Sequence, residues 1–352
     1  MSRKIGLIFI ALVAVLSLVA CSSDNTKTTP TAASSSAAVS AQATPTPGRP
    51  AVIKDVTVGY SPLLTNAPFY LGIDKGYFLD EGINLKLQTI GTGADVLTQT
   101  AAGNFNIGSA GIGAAGFNMA AAAIKAKQTV PFEVVAALHV EYPPSNTPLV
   151  VSKARMDSGE ISKVSDLKGK KCAVNNLGSA TEYWLNMALK SGGLTTKDVT
   201  VVAMSFQTMG AALQSKSIDC AMLGEPLTTQ AEDAGQVRVL TDTFAKGEAA
   251  TAVYWNRDWA KNNPQLAAGF VRAFLKSAAE MENGGWKDPA TIAIIEKYTQ
   301  VPADVIKRAA IPHYPAGGKL DPQGWKDLEA YFRSAGELTY DGNIDLTAFF
   351  RQ

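Results

Sequence analysis

Short apolar runs and longer amphipathic stretches alternate between residues 56 and 137. Strand-like runs lie at residues 56–60, 83–87, 106–109 and 132–137. Residues 83–87 alternate apolar and polar positions, as a half-buried strand does. Helices are predicted between these runs, through residues 69–73 and at residues 94–102 and 114–125. This β-α-β-α-β order predicts an α/β fold with a mainly parallel sheet.

The same order starts again after Pro143 and Pro144. Strands are predicted at residues 148–151, 172–174, 200–203 and 218–222, and helices at residues 180–191 and 209–215. Each half contains a helix, a short turn and a strand that ends in a glycine loop. This weak internal repeat predicts two similar lobes.

Beyond Asn262 the pattern is helical throughout. Helices are predicted at residues 265–282, 289–299, 303–309 and 321–335. We expect them to return to the first lobe and to complete its outside. The predicted first lobe is therefore residues 51–145 with 255–352, and the predicted second lobe is residues 146–254.

The N-terminus carries information about location. A short basic head with Arg3 and Lys4 precedes an apolar run over residues 5–20, which is shorter than the roughly 20 residues that span a bilayer. Such a head and core, followed by small residues, are typical of a secretory signal peptide, here residues 1–20. The segment from Leu18 to Cys21 resembles the bacterial lipobox, which implies lipidation of Cys21. We therefore expect a lipid-anchored protein on the extracytoplasmic side of the cell membrane.

Residues 21–50 are rich in serine, threonine, alanine and proline. Such a segment has little to bury, so we expect a disordered, extended tether. A fully lipidated Cys21 would hold the globular body near the membrane.

Composition narrows the possible partners. Lys and Arg together number 32 and Asp and Glu 31, so no basic surface predicts nucleic-acid binding. Two histidines far apart, His139 and His313, give too few ligands for a metal cluster, and no cofactor is predicted. Besides Cys21, the chain has Cys172 and Cys220 in strand-like runs. Two buried, inert thiols are the favoured interpretation, and a disulfide between neighbouring strands is the alternative.

Several motifs resemble those of the SsuA-type solute-binding proteins in order and spacing. They are residues 59–60, 67–72, 75–78 and 81–83, then Ala102-Gly103 with Ile107-Gly108, residues 166–170, and residues 218–221 with Glu225-Pro226. The resemblance covers residues 54–260 well and implies a type II periplasmic-binding-protein fold, with two α/β lobes, a hinge and an interlobe cleft. It also implies a monomeric receptor that works with an ABC permease and its ATPase. Members of this family bind sulfonates, taurine, nitrate or bicarbonate, thiamine-precursor pyrimidines, or flavins.

Candidate ligand contacts lie in loops after predicted strands, because ligands of open α/β sheets bind beyond the carboxyl ends of the strands. Hydroxyls and free N–H groups at the helix start near Ser179 favour an anion, although Ser179 and Glu182 also have the spacing of a capping box. A carboxylate at Glu225 would suit a ligand amine. The predicted ligand-binding residues are Thr65, Asn66, Ala67, Thr92, Gly111, Ile112, His139, Tyr142, Asn176, Gly178, Ser179, Ala180, Thr181 and Glu225.

Residues 111–116 fit the pattern G-x-G-x-x-G, which also occurs in dinucleotide-binding folds. The acidic residue at the expected distance, Glu133, lies at the start of its predicted strand, whereas ribose contact requires the carboxyl end. We therefore interpret these glycines as positions where backbone approaches a small ligand. Tyr142, Tyr183 and Trp184 are candidates for stacking on a flat ligand, but Tyr183 and Trp184 cannot both face the cleft.

These patterns predict capture of a small organic solute in the cleft and its delivery to a permease. The alternatives are an enzyme that resembles the thiamine-pyrimidine synthases and a stand-alone ligand sensor. No set of residues compels a catalytic mechanism, so no catalytic residue is predicted. The absence of arginine from the predicted loops, together with Glu225 and Glu141, favours a taurine-like zwitterion or an amine-bearing pyrimidine.

Overall fold

Residue 50 and residues 52–351 are described by the structure, a computed structural model. The predicted signal peptide, the predicted lipidation site at Cys21 and the predicted tether, apart from Pro50, lie outside the described residues. Within them, every helix is too short or too polar to cross a bilayer.

Ten strands form the two sheets. In chain order they are β1 Lys54–Tyr60, β2 Ile83–Thr89, β3 Ile107–Gly111, β4 Phe132–Ala137, β5 Leu149–Ser152, β6 Lys171–Val174, β7 Thr200–Ala203, β8 Cys220–Met222, β9 Val237–Thr241 and β10 Thr251–Asn256.

The two sheets share one design. Their strand orders are β2-β1-β3-β10-β4 and β7-β6-β8-β5-β9. In the first, β10 is antiparallel to both its neighbours, and in the second β5 is antiparallel to both of its neighbours. The remaining pairs are parallel, so the prediction of mainly parallel sheets is confirmed. The chain crosses to the second sheet between β4 and β5 and returns between β9 and β10.

Thirteen α-helices occur in the described residues. They are α1 Ala67–Asp74, α2 Tyr77–Asp80, α3 Gly93–Ala101, α4 Gly113–Lys125, α5 Lys153–Asp157, α6 Ala180–Lys190, α7 Phe206–Gln214, α8 Leu227–Asp233, α9 Arg257–Asn262, α10 Pro264–Glu282, α11 Pro289–Thr299, α12 Ala303–Arg308 and α13 Pro322–Ala335.

Aromatic packing fixes the helices that cover the first sheet. Phe69 of α1 stacks with Phe270 and Phe274 of α10, with ring centroids 6.2 and 5.1 Å apart. All three side chains are buried, and each such ring removes a large apolar area from water. On the other side, α13 contacts both α4 and α6, so it links helices that follow strands of the two sheets.

Cys172 and Cys220 are joined in a disulfide, with their Cα atoms 4.5 Å apart. They lie directly opposite each other on the parallel neighbours β6 and β8. The favoured interpretation of two inert thiols is therefore wrong, and the alternative is correct. Spacing along the sequence could not show this register, because it depends on which strands become neighbours.

Candidate functional site

Residues that follow strands of both sheets line a cavity of about 80 Å³. The loops after β1, β2 and β3 contribute from the first sheet, and those after β6 and β7 contribute from the second. The segment between β4 and β5 and the first residue of β10 form the remaining wall. Typical ligand pockets measure about 300–1,000 Å³, so in this form the cavity fits a compact solute.

Four helices begin on this cavity. The first residues of α3, α4, α6 and α7, which are Gly93, Gly113, Ala180 and Phe206, all line it. The first amides of a helix have no intrahelical acceptor, and the helix dipole places partial positive charge there. His139 is the one ionisable side chain among the described residues that line the cavity. Partial positive charge from the backbone therefore faces the cavity at four places.

A hydroxyl, an imidazole and a carboxylate are connected along the crossing segments. Thr251 Oγ1 lies 2.8 Å from His139 Nδ1, and His139 Nε2 lies 3.2 Å from Glu141 Oε1. Glu141 also accepts hydrogen bonds from Ser145 Oγ at 2.6 Å and from Asn146 N at 2.8 Å. Thr251 and His139 line the cavity, whereas Glu141 is fully buried behind them.

The carboxyl group of Glu141 remains ionised despite this burial. Burial alone raises its pKa, but the hydrogen bond and the positive charge of a protonated His139, with hydrogen bonds from Ser145 and Thr147, outweigh burial and leave the pKa below its ordinary value. The carboxylate therefore links Ser145 and Asn146 to His139. His139 in turn contacts Thr251 at the start of β10.

The loops of the two sheets touch at the cavity edge. Ala114 N donates a hydrogen bond to Gly178 O at 2.8 Å. Gly113 has φ of +60°, and a Cβ on it would lie well inside 3.0 Å of Gly178 O. A Cβ on Gly111 would meet Ala180 Cβ at 3.1 Å. The prediction that these glycines allow close backbone approach thus applies to contact between the two loops, and both glycines also line the cavity.

The sequence model of the NMT1-like family matches residues 50–295. This chain belongs to the NMT1-like family. The riboflavin-binding protein RibY of Chloroflexus aurantiacus is 27% identical over 287 residues, which cover 79% of this chain and 74% of RibY. The nitrate/nitrite binding protein NrtA of a Nostoc species is 25% identical over 269 residues, which cover 72% of this chain and 60% of NrtA.

Solved structures of proteins similar to this NMT1-like chain establish its fold. The alkanesulfonate-binding protein SsuA from Xanthomonas axonopodis pv. citri, bound to MOPS, superposes with a TM-score of 0.66 at 18% identity. The match covers 86% of this chain and 99% of SsuA. The predicted SsuA-type resemblance and the predicted periplasmic-binding-protein fold are confirmed. The names of the three similar proteins give three different ligands, so family membership does not select one.

Ten of the fourteen predicted contact residues come together on the cavity of this NMT1-like protein. They are Thr65, Asn66, Gly111, Ile112, His139, Asn176, Gly178, Ser179, Ala180 and Thr181. Their role in ligand binding stays a prediction. Trp184 also lines the cavity, while Tyr183 packs against Tyr331 with ring centroids 5.6 Å apart. Of the two adjacent aromatic residues on α6, Trp184 is therefore the one that faces the cavity.

Three predicted residues, Ala67, Thr92 and Tyr142, do not line the cavity. Ala67 is fully buried at the start of α1. Thr92 caps α3, and its hydroxyl accepts a hydrogen bond from Asp95 N at 3.1 Å. Tyr142 is 45% exposed and packs edge-on against His313. Each side chain is turned away from the cavity by a local partner or by the direction of its element.

Glu225 is the fourth predicted residue that lies away from the cavity lining. Its carboxylate accepts hydrogen bonds from Thr229 N at 3.1 Å, Thr229 Oγ1 at 3.0 Å and Ala310 N at 3.4 Å. Burial raises its pKa, and these hydrogen bonds oppose the rise. The carboxylate is thus committed to the start of α8 and to the segment after α12 and does not line the cavity, and its role as the partner of a ligand amine stays a prediction without support from this placement.

Gly113 and Trp184, which the sequence analysis singled out for backbone approach and for stacking, also line the cavity. Twelve further lining residues were not among the predicted contacts. They are Ser61, Leu63, Gly93, Ala94, Ser109, Ala110, Ala115, Leu138, Thr147, Asn175, Phe206 and Thr251. Most are immediate neighbours of predicted residues or first residues of helices, so a wider window after each strand would have found them. Thr251 begins a strand that was not predicted, and no local feature of the sequence indicates it.

Two carboxyl groups meet beside the cavity, where α6 and the segment after α13 approach each other. Glu182 accepts hydrogen bonds from Gly178 N at 2.7 Å and from Tyr331 OH at 3.0 Å. Ser179 caps α6 as predicted, but the carboxylate of Glu182 takes Gly178 N, so the predicted capping box is incomplete. Burial and the charge of Glu182 raise the pKa of Glu337 to about 7.

This pair predicts a pH-dependent stability. Between the ordinary pKa of 4.5 and about 7, the folded protein holds the Glu337 proton more strongly than the unfolded chain does. The free energy of unfolding contributed by Glu337 therefore falls as pH rises through this window. Urea unfolding between about pH 5 and 7.5 should show the fall in wild type and a smaller fall in Glu337→Gln. Parallel pH curves for the two proteins would contradict the prediction.

Proposed function

We propose that this protein is the extracytoplasmic solute-binding component of an ABC importer. We further propose that it captures a compact organic solute with one negative charge, such as a sulfonate, and delivers it to the permease. The observation that carries the proposal is the cavity on which four helices begin. Lysine, arginine, aspartate and glutamate do not occur among the described residues that line it.

The sign of the cavity potential favours an anion. Each helix start stabilises a nearby negative charge by about 0.3–1 kcal/mol. An ammonium group in the same place meets partial positive charge and finds no carboxylate among the lining residues. Glu225 is committed to Thr229 and Ala310, so its carboxylate gives no support to a zwitterion. The carboxylate of Glu141 lies behind His139 and is held by Ser145 and Asn146, so it does not face the ligand.

The absence of arginine and lysine from the described lining limits the charge of the ligand. Removing an ion from water opposes binding by several kcal/mol, and a dianion needs more compensation than backbone amides and hydroxyls provide. A monoanion with its charge spread over several oxygens is easier to accommodate. The hydroxyl of Thr65 offers a donor to the cavity. The hydroxyls of Ser61 and Ser179 donate to Ile90 O and Thr181 Oγ1, and each must turn to donate to a ligand.

Trp184 gives a further reason for a hydrogen-bond acceptor in the cavity. Its side chain lines the cavity and is 2% exposed. Its Nε1 has no hydrogen-bond partner among the described residues. Because a buried donor without a partner destabilises a protein by about 1–3 kcal/mol, an acceptor on the ligand would relieve that penalty.

The similar proteins support the same class of solute. NrtA is named for nitrate and nitrite, and SsuA for alkanesulfonates, which are all anions. The predicted signal peptide supports an extracytoplasmic location. The lipid on Cys21 and the partnership with a permease and ATPase remain predictions from the sequence.

A matched panel of solutes tests the proposal by titration calorimetry. Ethanesulfonate and taurine differ by one ammonium group, and sulfate adds a second negative charge. We expect ethanesulfonate to bind at least as tightly as taurine and far more tightly than sulfate. Glu225→Gln is the control and should keep the wild-type affinity. Binding of a pyrimidine or a flavin alone would overturn the anion class, and no binding by any family solute would count against the receptor function itself.

A further inference from the structure

The connected side chains Thr251, His139 and Glu141 have a directional hydrogen-bond order. Glu141 is fully buried, and as a carboxylate it can only accept. His139 Nε2 at 3.2 Å must therefore donate to it. That requirement selects the tautomer of the imidazole and leaves Nδ1 to face Thr251 Oγ1 at 2.8 Å.

Two proton states of His139 then present two different hydroxyls to the cavity. When the ring is neutral, Nδ1 is an acceptor, so the Thr251 hydroxyl points its hydrogen at the ring and shows lone pairs to the cavity. When the ring is protonated, Nδ1–H donates to Oγ1, and the hydroxyl hydrogen is released to donate into the cavity. The first state suits a ligand donor and the second suits a ligand acceptor.

Charge favours the same coupling. Among the groups that contact the Glu141 carboxylate, His139 is the one that can carry positive charge. An anion in the cavity places a second negative charge close to the imidazole. The protonated ring is therefore more favourable with the anion bound than with the cavity empty.

We infer that Thr251 is a specificity-determining residue of this cavity, and that binding of an anionic acceptor at its hydroxyl is accompanied by uptake of one proton at His139. This inference rests on the proposed function, since it assumes that an anion is the solute. It adds that Thr251 distinguishes ligands that accept a hydrogen bond from ligands that donate one. It also adds that the protonation state of His139 decides which of the two is bound.

Few other titratable groups bear on His139. Trp184 of α6 packs edge-on against the His139 ring, with ring centroids 5.7 Å apart. Its indole carries no charge near neutral pH. Glu248 pairs with Glu141 through a backbone bridge, and its carboxylate accepts a hydrogen bond from Lys246 N. His313 forms a backbone bridge with Val140, and its ring lies 3.5 Å from Glu282. The Thr251 variants leave Glu248 and His313 unchanged. The contribution of His313 is tested separately by His313→Gln.

Titration calorimetry with ethanesulfonate in buffers of different ionisation enthalpy gives the first test. We expect a net uptake of up to one proton for each anion bound. Wherever that uptake occurs, the affinity should fall with rising pH, by up to about tenfold for each pH unit. Thr251→Val, which keeps the shape and removes the hydroxyl, should weaken binding about fivefold to tenfold, while Thr251→Ser stays near wild type. His313→Gln should preserve both the affinity and the pH dependence.

The two proposals fail in different ways. Ethanesulfonate that binds with no proton uptake and no pH dependence would overturn this inference and leave the proposed function standing. Absence of any sulfonate binding would overturn the proposed function. Nitrogen-15 NMR of the ligand-free protein gives a separate readout, because the chain has only two histidines and His313→Gln assigns them. His139 protonated at Nε2 in both charge states supports the inference, and a neutral ring protonated only at Nδ1 contradicts it.

Discussion

Replacing Gly113 by alanine is expected to weaken solute binding at least tenfold. The new Cβ would lie well inside 3.0 Å of Gly178 O, which accepts the hydrogen bond from Ala114 N across the cavity edge. Backbone atoms cannot move aside as a flexible side chain can, so the loops of the two sheets must separate. A tenfold loss corresponds to about 1.4 kcal/mol. Calorimetry with the tightest-binding sulfonate measures the loss.

Gly235→Ala is the matched control for this substitution. Gly235 has φ of +68°, close to the +60° of Gly113, but a Cβ there meets nothing within 4 Å. Both variants therefore carry a similar backbone strain, about 1–2 kcal/mol for a residue with a side chain. We expect the shared strain to destabilise both variants, a further loss of stability in Gly113→Ala from the separated loops, and a loss of affinity in Gly113→Ala alone. Equal affinities in the two variants would show that contact between the loops is not needed for binding.

Removing the disulfide is expected to have the largest effect on stability. The double variant Cys172→Ala with Cys220→Ala releases a cross-link between residues 48 apart in sequence. A closed loop of that length restricts the unfolded chain by about 4 kcal/mol, and measured losses for native disulfides are typically about 2–5 kcal/mol. Guanidinium unfolding of the double variant should show that loss. Solute affinity should change little, because neither residue lines the cavity.

Treatment of the wild type with a reductant provides the control for this prediction. Reduction should lower the stability of the wild type toward that of the double variant and leave the double variant unchanged. Alkylation followed by mass measurement shows whether the thiols are free. Free thiols in the untreated protein, or equal stability of the two proteins, would contradict the prediction.

Elements with a strong local pattern could be predicted, and those whose burial depends on distant partners could not. Strand β2 alternates and β7 is a compact apolar run, so both were predicted within two residues of their bounds. Strand β10 is buried at every position because β3 and β4 flank it, so it shows no alternation. Helix α8 has only seven residues, too few for a clear period.

The same distinction between local pattern and distant partners applies to the residues of the candidate site. The glycine and hydroxyl residues around Ser179 were found because a loop between a strand and a helix is visible in the sequence. Glu225 also follows a strand, but its side chain bonds to Ala310, 85 residues away. Thr251 meets His139 from 112 residues away, on the unpredicted strand. Local sequence shows which loops reach the cleft, whereas long-range pairing decides which side chains face it.

The position of the second sheet within the chain has a consequence for how the protein can be rebuilt. Strands β5 to β9 form one uninterrupted stretch, and its two ends meet where Ser145 N donates to Asp242 O at 2.8 Å. A segment whose two ends lie next to each other can be treated as an insertion into the rest of the fold. Exchanging residues 146–241 between related proteins leaves the strand order and the connections of the first sheet unchanged. Half of a binding site could be exchanged in one step, which makes chimaeras a direct route to new solute preferences.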